Sequence, residues 1–340
     1  MTKRFLPGPR NLITDVAGLR VGNAEDRDGL TGVTVLLPDR PMVVAADVRG
    51  GAPGTRELAT LDPENLVDGI HAIVLSGGSV FGVDAASAVT WKLARAGIGY
   101  RFGDQPWACP VVPAAILFDL MNGGEKRWVA NPPYAGLGAD AFDAACLDFR
   151  LGNAGAGLGA IAGMIKGGLG SASAVCGDFT VGALVAVNSV GSCGDGRTGR
   201  LWSADWAAGG EMGDGQAERP VPSLDGLKTD HMAEAAAAGT NTTIAVVATD
   251  AALTKSEAKR LAIMAADGLA IAVRPAHTPF DGDTVFAAAL RSRELSGNRA
   301  LVLSELGAAA AQTLARAIGR AIWNATSAGR ARSYRDLIGA

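Results

Sequence analysis

The feature that most constrains this chain is a recurring pattern of short, near-continuous apolar runs, each closed off by Gly, Pro, Asn or Asp. They are VTVLLP (33–38), MVVAADV (42–48), AIVLS (72–76), GALVAVN (182–188) and TIAVVAT (243–249). Runs with so little polar alternation predict strands covered on both faces, since a sheet with one wet face shows a period of two. Helical segments alternate with them. VDAASAVTWKLARAG (83–97) ends at Gly97, a C-terminal cap, and TKSEAKRLAIMAADG (254–268) opens with Thr254 and Glu257 spaced for a capping box. In LARAIGRAIWNA, Leu314, Ile318 and Ile322 fall at steps of four on one stripe.

Strands buried on both faces need a large core, and the composition supplies it: 48% of 340 residues are hydrophobic and 19% charged. That length suits two domains or one large one. The 46 glycines, set between apolar runs, point to tight turns and close backbone packing rather than to disorder. A net charge of −3 gives no reason to expect nucleic acid or an anionic membrane as a partner. Pro7, Pro9, Arg10 and Asp15 interrupt the N-terminal stretch before it reaches signal-peptide character, and no apolar run approaches the roughly 18 residues of a membrane span. Cys109, Cys146, Cys176 and Cys193 lie far apart with no CxxC pair, which argues against a zinc site or a disulfide framework. The expectation is a soluble, cytoplasmic protein. The Gly-, Pro- and charge-rich stretch 203–228 reads as a long, mobile surface loop.

Several motifs carry a chemical and a plain reading side by side. LSGGSVFGVDAA (75–86) is strand, glycine turn and helix; it lacks the spacing of a nucleotide site, and Ser79 is a candidate for a substrate pocket. In the glycine-dense GNAGAGLGAIAGMIKGGLGSASA (152–174), small residues let two backbones approach closely. Its one charge, Lys166, is either solvated or aimed at a reacting group. Asn188 ends an apolar run, where its amide either closes a turn or donates to a developing oxyanion. Asp281 and Asp283 flank Gly282 as a hairpin turn or as a carboxylate pair that orients a hydroxyl or an ammonium; two aspartates alone do not make a metal cage. His277 reads as a structural hydrogen-bonder. Finally, GTNTTIAVVATD (239–250) puts hydroxyls at the head of a buried strand, as a solvent turn or as a nucleophile on a rigid support.

Taken in order, DVRGGAPGTRE (47–57), LSGGSVFG (75–82), VVPAAILFDL (111–120), GNAGAGLGA (152–160), KGGLGSAS (166–173), LVAVNSVG (184–191), NTTIAVVATDA (241–251) and HTPFDGDTVFA (277–287) resemble the L-aminopeptidase/D-esterase family of self-cleaving N-terminal-nucleophile hydrolases. That family includes β-peptidyl aminopeptidases and nylon-oligomer endohydrolases. The resemblance implies an α+β fold, the four-layer α-β-β-α sandwich of the self-processing aminopeptidase/ornithine acetyltransferase type. It implies one folded body, 1–340, cut into fragments 1–241 and 242–340, with no cofactor or metal, a small amide or peptide substrate and homo-oligomers of cleaved heterodimers. In the nylon-oligomer branch the cut falls between Asn and Thr, here Asn241 and Thr242. Thr242 is then the nucleophile, Asn188 the oxyanion donor, and Asp281 and Asp283 the groups that hold the Thr242 hydroxyl and amine. The aminopeptidase branch has Gly-Ser at the cut and Ser-x-Glu downstream, where this chain has Asn-Thr and Asp-Gly-Asp. Two departures stand out. Met164 falls where the branch has its lysine, with Lys166 two places on, and Phe118 stands in place of a site tyrosine. The implied activity is hydrolysis of linear amides, nylon-type oligomers included. The alternatives are an L-aminopeptidase/D-esterase or β-peptidyl aminopeptidase, an acyltransferase of the same fold, or an uncleaved binding protein.

Overall fold

A computed structural model of the chain describes residues 5–128, 130–213, 219–228 and 241–340. Residues 1–4 of the N-terminal stretch, 214–218 of the long loop, and Gly239 and Thr240 ahead of the threonine strand lie outside the described residues. The first half of the chain runs β1 (Leu19–Asp26), β2 (Thr31–Pro38), β3 (Val43–Val48), β4 (Gly54–Arg56), β5 (Ile73–Ser76), α1 (Asp84–Arg95), β6 (Ala114–Ile116) and α2 (Tyr134–Asp143). The second runs β7 (Ile161–Ala162), β8 (Ile165–Lys166), β9 (Gly168–Cys176), β10 (Phe179–Asn188), β11 (Thr242–Ala251), α3 (Lys255–Ala272), β12 (Thr284–Arg293), α4 (Arg299–Asn324) and α5 (Tyr334–Ile338).

The larger strands form two sheets, ordered β1-β2-β5-β6-β4 and β3-β12-β11-β10-β9. The residues that fill the space between them include Leu36, Ile73 and Leu75 from one sheet and Leu184, Ile244 and Phe286 from the other. Outside the first sheet, Val33, Val35 and Val74 pack on Val89 and Leu137 of α1 and α2. Outside the second, Val185, Val247 and Val285 pack on Leu261, Leu314 and Ile318 of α3 and α4. The order of layers is therefore α-β-β-α, and both faces of β11 are buried, as its unbroken apolar run requires. Among the described residues no helix is long and apolar enough to cross a membrane.

The five strands read from sequence correspond to β2, β3, β5, β10 and β11. The capping box of α3 forms as expected, with the Thr254 hydroxyl accepting from the Glu257 N–H. One reading is corrected in part: most described residues of 203–228 are exposed or half-buried, as a surface loop requires, but Ser203, Met212, Leu224 and Lys228 are buried. The glycine-dense stretch contains most of the edge strand β9, which has no Val or Ile run to announce it. Its glycines serve close approach, as expected. A Cβ at Gly170 would lie 1.9 Å from the Ala317 carbonyl oxygen of α4, so the helix backbone rests directly on the strand. Gly170→Val is expected to cost about 3 kcal/mol through overpacking, read as a lowered midpoint in urea unfolding.

Candidate active site

Period-two alternation sorts the two threonines at the head of β11. Thr242 shares its parity with Ile244, Val246 and Ala248, which face the other sheet. Thr243 shares its parity with Ala245 and Val247, which face the helices. Only Thr242 lines a cleft of about 430 Å³ between the sheets, together with Ala52, Thr55, Ser79, Val80 and Phe118 among others. Among the described residues, none that lines it carries an ionisable side chain.

The peptide joining Asn241 to Thr242 is tightly held. The Asn241 carbonyl oxygen accepts the Gly282 N–H at 2.9 Å and also the Thr242 hydroxyl. Gly282 is required by space: a Cβ there would sit 2.7 Å from the Thr242 Oγ1 and 2.8 Å from the Ala52 carbonyl oxygen. Across the β10–β11 ladder, Asn188 lies directly opposite Thr242, so their side chains share one face of the sheet about 5 Å apart at Cβ.

The surroundings of Asn188 fix which way its amide points. Its Oδ1 accepts the Ile161 N–H at 3.0 Å, Asn122 Nδ2 at 2.9 Å and Lys228 Nζ at 2.9 Å. Its Nδ2 donates to the Phe118 carbonyl at 3.0 Å. A backbone N–H and an ammonium cannot accept, and a carbonyl cannot donate, so the reversed amide would lose these bonds. Nδ2 keeps a second hydrogen with no partner among the described residues.

The sequence profile of peptidase family S58 matches residues 11–334. The chain belongs to peptidase family S58, the L-aminopeptidase/D-esterase family. It is 42% identical to an uncharacterized aminopeptidase of Mycobacterium bovis, over 96% of this chain and 98% of that protein. It is 30% identical to a 6-aminohexanoate-oligomer endohydrolase of Kocuria sp., over 82% of this chain and 75% of that one. In fold it is similar to the L-aminopeptidase D-Ala-esterase/amidase of Ochrobactrum anthropi, described as a variant of the Ntn hydrolase fold. The TM-score is 0.69 at 23% identity, covering 96% and 89% of the two chains. The S58 chain is thus a peptidase or amidohydrolase.

The structure brings Thr242, Ser79 and Phe118 together at the cleft, with Asn188 buried opposite Thr242 on the same sheet face, and sets the other predicted residues behind it. Lys166 is neither solvated nor in contact with Thr242. It is buried, and its Nζ donates to the carbonyls of Gly157, Ala160 and Gly167 at 2.9–3.0 Å. Asp281 accepts from the Val190 N–H and from the Thr278 N–H and hydroxyl, and Asp283 from the Thr243 N–H and from His277 N–H and Nδ1. In the uncut chain neither carboxylate bonds to the Thr242 hydroxyl. They brace the turn that carries Gly282. That turn joins α3 to β12, which runs parallel to β11, so it is not a hairpin. Burial, helped by the charge of Asp283, pushes the Asp281 carboxyl above its usual range.

Sequence reasoning missed Lys228 and Asn122, because nothing in their local sequence marks them as neighbours of Asn188. It also missed Asp119, buried beneath the Ser79 turn. Asp119 accepts the Gly78 N–H at 2.9 Å and the Thr31 hydroxyl at 2.6 Å.

Burial lowers both Lys166 and Lys228 to about 7, against an ordinary value of 10.5. The unfolded lysines stay protonated between about pH 7 and 10 while the folded ones do not, so the unfolded state binds more protons there. Stability against urea is expected to rise with pH across that window, and Lys166→Met should flatten part of the rise. A slope unchanged by Lys166→Met would mean that its three carbonyl acceptors keep the ammonium charged.

Proposed function

We propose that the chain is a self-processing amide hydrolase with Thr242 as its N-terminal nucleophile, acting on linear amides and including nylon-type aminohexanoate oligomers among its substrates. The observation that carries this reading is the Thr242 hydroxyl lying against the Asn241 carbonyl, whose oxygen already accepts the Gly282 N–H. In self-cleavage Oγ1 adds to that carbonyl carbon, and the Gly282 N–H stabilises the oxyanion. The C–N bond then breaks, with the hydroxyl proton ending on the departing nitrogen. Water opens the resulting ester, which frees the Asn241 carboxylate and the Thr242 hydroxyl.

The new α-amine, ordinarily with a pKa of about 7.7–8.0, then serves as the base a threonine hydroxyl needs. Thr242 attacks a substrate amide held in the cleft, the amine product leaves, and water releases the acyl group. The uncommitted N–H of Asn188, on the same sheet face, donates to the substrate oxyanion. Support for an internal amide as substrate is that, among the described residues, no carboxylate lines the cleft to capture a free α-amine.

Three outcomes are expected. N-terminal sequencing of the purified protein finds a small fragment beginning at Thr242; Thr242→Ala leaves one inactive chain and Thr242→Ser cuts itself more slowly. A fragment starting at Thr243, or an active uncut enzyme, sinks the assignment. Asn188→Ala lowers kcat by about a hundredfold or more with little change in KM, since an oxyanion donor acts in the transition state; a change confined to KM would make Asn188 a turn residue. In a side-by-side assay, aminohexanoate oligomers and N-acetylated amides are cleaved in preference to free L-amino-acid anilides. Activity on the anilides alone would instead favour an aminopeptidase.

A further inference from the structure

We propose that Lys228 is a positioning residue for the oxyanion donor: its ε-amino group donates to Oδ1 of Asn188 so that the amide presents an N–H, and not its oxygen, to the reacting carbonyl. This rests on the reading of Asn188 just given.

An asparagine amide is an oxyanion donor in only one of its two orientations. Reversed, it sets a carbonyl oxygen against a developing negative charge. Three donors enforce the useful orientation of Asn188, and they are not equivalent. The Ile161 N–H is backbone. Asn122 is itself an amide, anchored by a second Nδ2 bond to the Gly159 carbonyl at 2.9 Å. Lys228 alone can carry a formal charge, which its burial confines to pH below about 7. A donor on the oxygen of an amide, most of all a cationic one, draws electron density from its nitrogen and strengthens the N–H as a donor at the far end.

The placement of Lys228 is built rather than incidental. The residue is 4% exposed, and among the described residues its Nζ has two bonds, the one to Asn188 at 2.9 Å and a long one of 3.4 Å to the Ile161 carbonyl. Its backbone N–H donates to the Val190 carbonyl at 3.1 Å, while the N–H of that same Val190 donates to Asp281 at 3.0 Å. One residue just past β10 thus ties Lys228 and Asp281 to the strand that ends in Asn188. The charges acting on the ammonium are Asp119 and Asp281, which favour it, and Arg330 and Lys166, which oppose it. A lysine present only for packing needs no charge on Asn188, so the two roles predict different kinetics.

The test is a cycle of Asn188→Ala, Lys228→Met and the double variant. It measures self-cleavage of the freshly folded chain on gels, and kcat and KM of the processed fraction on a linear amide, normalised to free N-terminal threonine. Lys228→Met is expected to lower kcat by about tenfold, the value of one hydrogen bond, with KM within threefold. In the Asn188→Ala background it should add nothing further. If Lys228→Met is insoluble, Lys228→Gln carries the same test, since its neutral amide is a weaker donor of shorter reach. Wild-type kcat in the lysine variant, a change in KM alone, or losses that multiply in the double variant would each overturn the proposal. Asn188→Ala with normal kcat would sink the oxyanion reading itself, which separates the two failures.

Discussion

The organisation of this molecule depends on β11 being covered on both faces along its length and paired on both edges, to β10 from Thr242 and to β12 from Ile244. A strand so placed has no freedom to fray, so the peptide at its head is held by the lattice around it and not by local preference. β10 on one side brings Asn188 opposite Thr242, and β12 on the other brings Gly282 onto the Asn241 carbonyl. A shift of one residue in this register would turn Thr243 toward the cleft and Thr242 into the helix layer.

The strand order also explains why the two sides of the Asn241–Thr242 bond belong to one body. β11 and β12, from after that bond, lie between β3 and β10, from before it. Backbone hydrogen bonds and the shared core, not the peptide link, hold these pieces together. The carboxylates of Asp281 and Asp283 spend their acceptors on backbone N–H groups around this junction and on the Thr278 and His277 side chains, a structural use.

Behind the cleft lies a polar layer unusual for its depth: Asn188, Asn122, Lys166, Lys228 and Asp119 are all at most 4% exposed. Each is hydrogen-bonded, which is the condition for burying such groups without a prohibitive cost. The chain's small residues make the layer possible. Glycines at 157, 159 and 167 bring backbone carbonyls within reach of the Lys166 and Asn122 side chains.

Patterns carried by neighbouring residues were legible in the sequence alone: the five apolar strands covered on both faces, the capped helix α3 and, through ordered motifs, the L-aminopeptidase/D-esterase family with its α-β-β-α sandwich and Asn-Thr head. Edge strand β9 was not legible, because glycine, serine and alanine carry no strand signal of their own, and α4 supplies the reason for them. Nor were the roles of the charged residues. Lys166, Asp281 and Asp283 look from sequence like solvated or reactive groups, and Lys228 carries no local signal at all. Only the tertiary structure decided that they face backbone carbonyls, an amide oxygen and turn N–H groups. The physical reason is distance along the chain: 40 residues separate Lys228 from Asn188, and 91 separate Asp281 from Val190. Local sequence specifies period and propensity, whereas partners so remote are chosen by how the sheets pack.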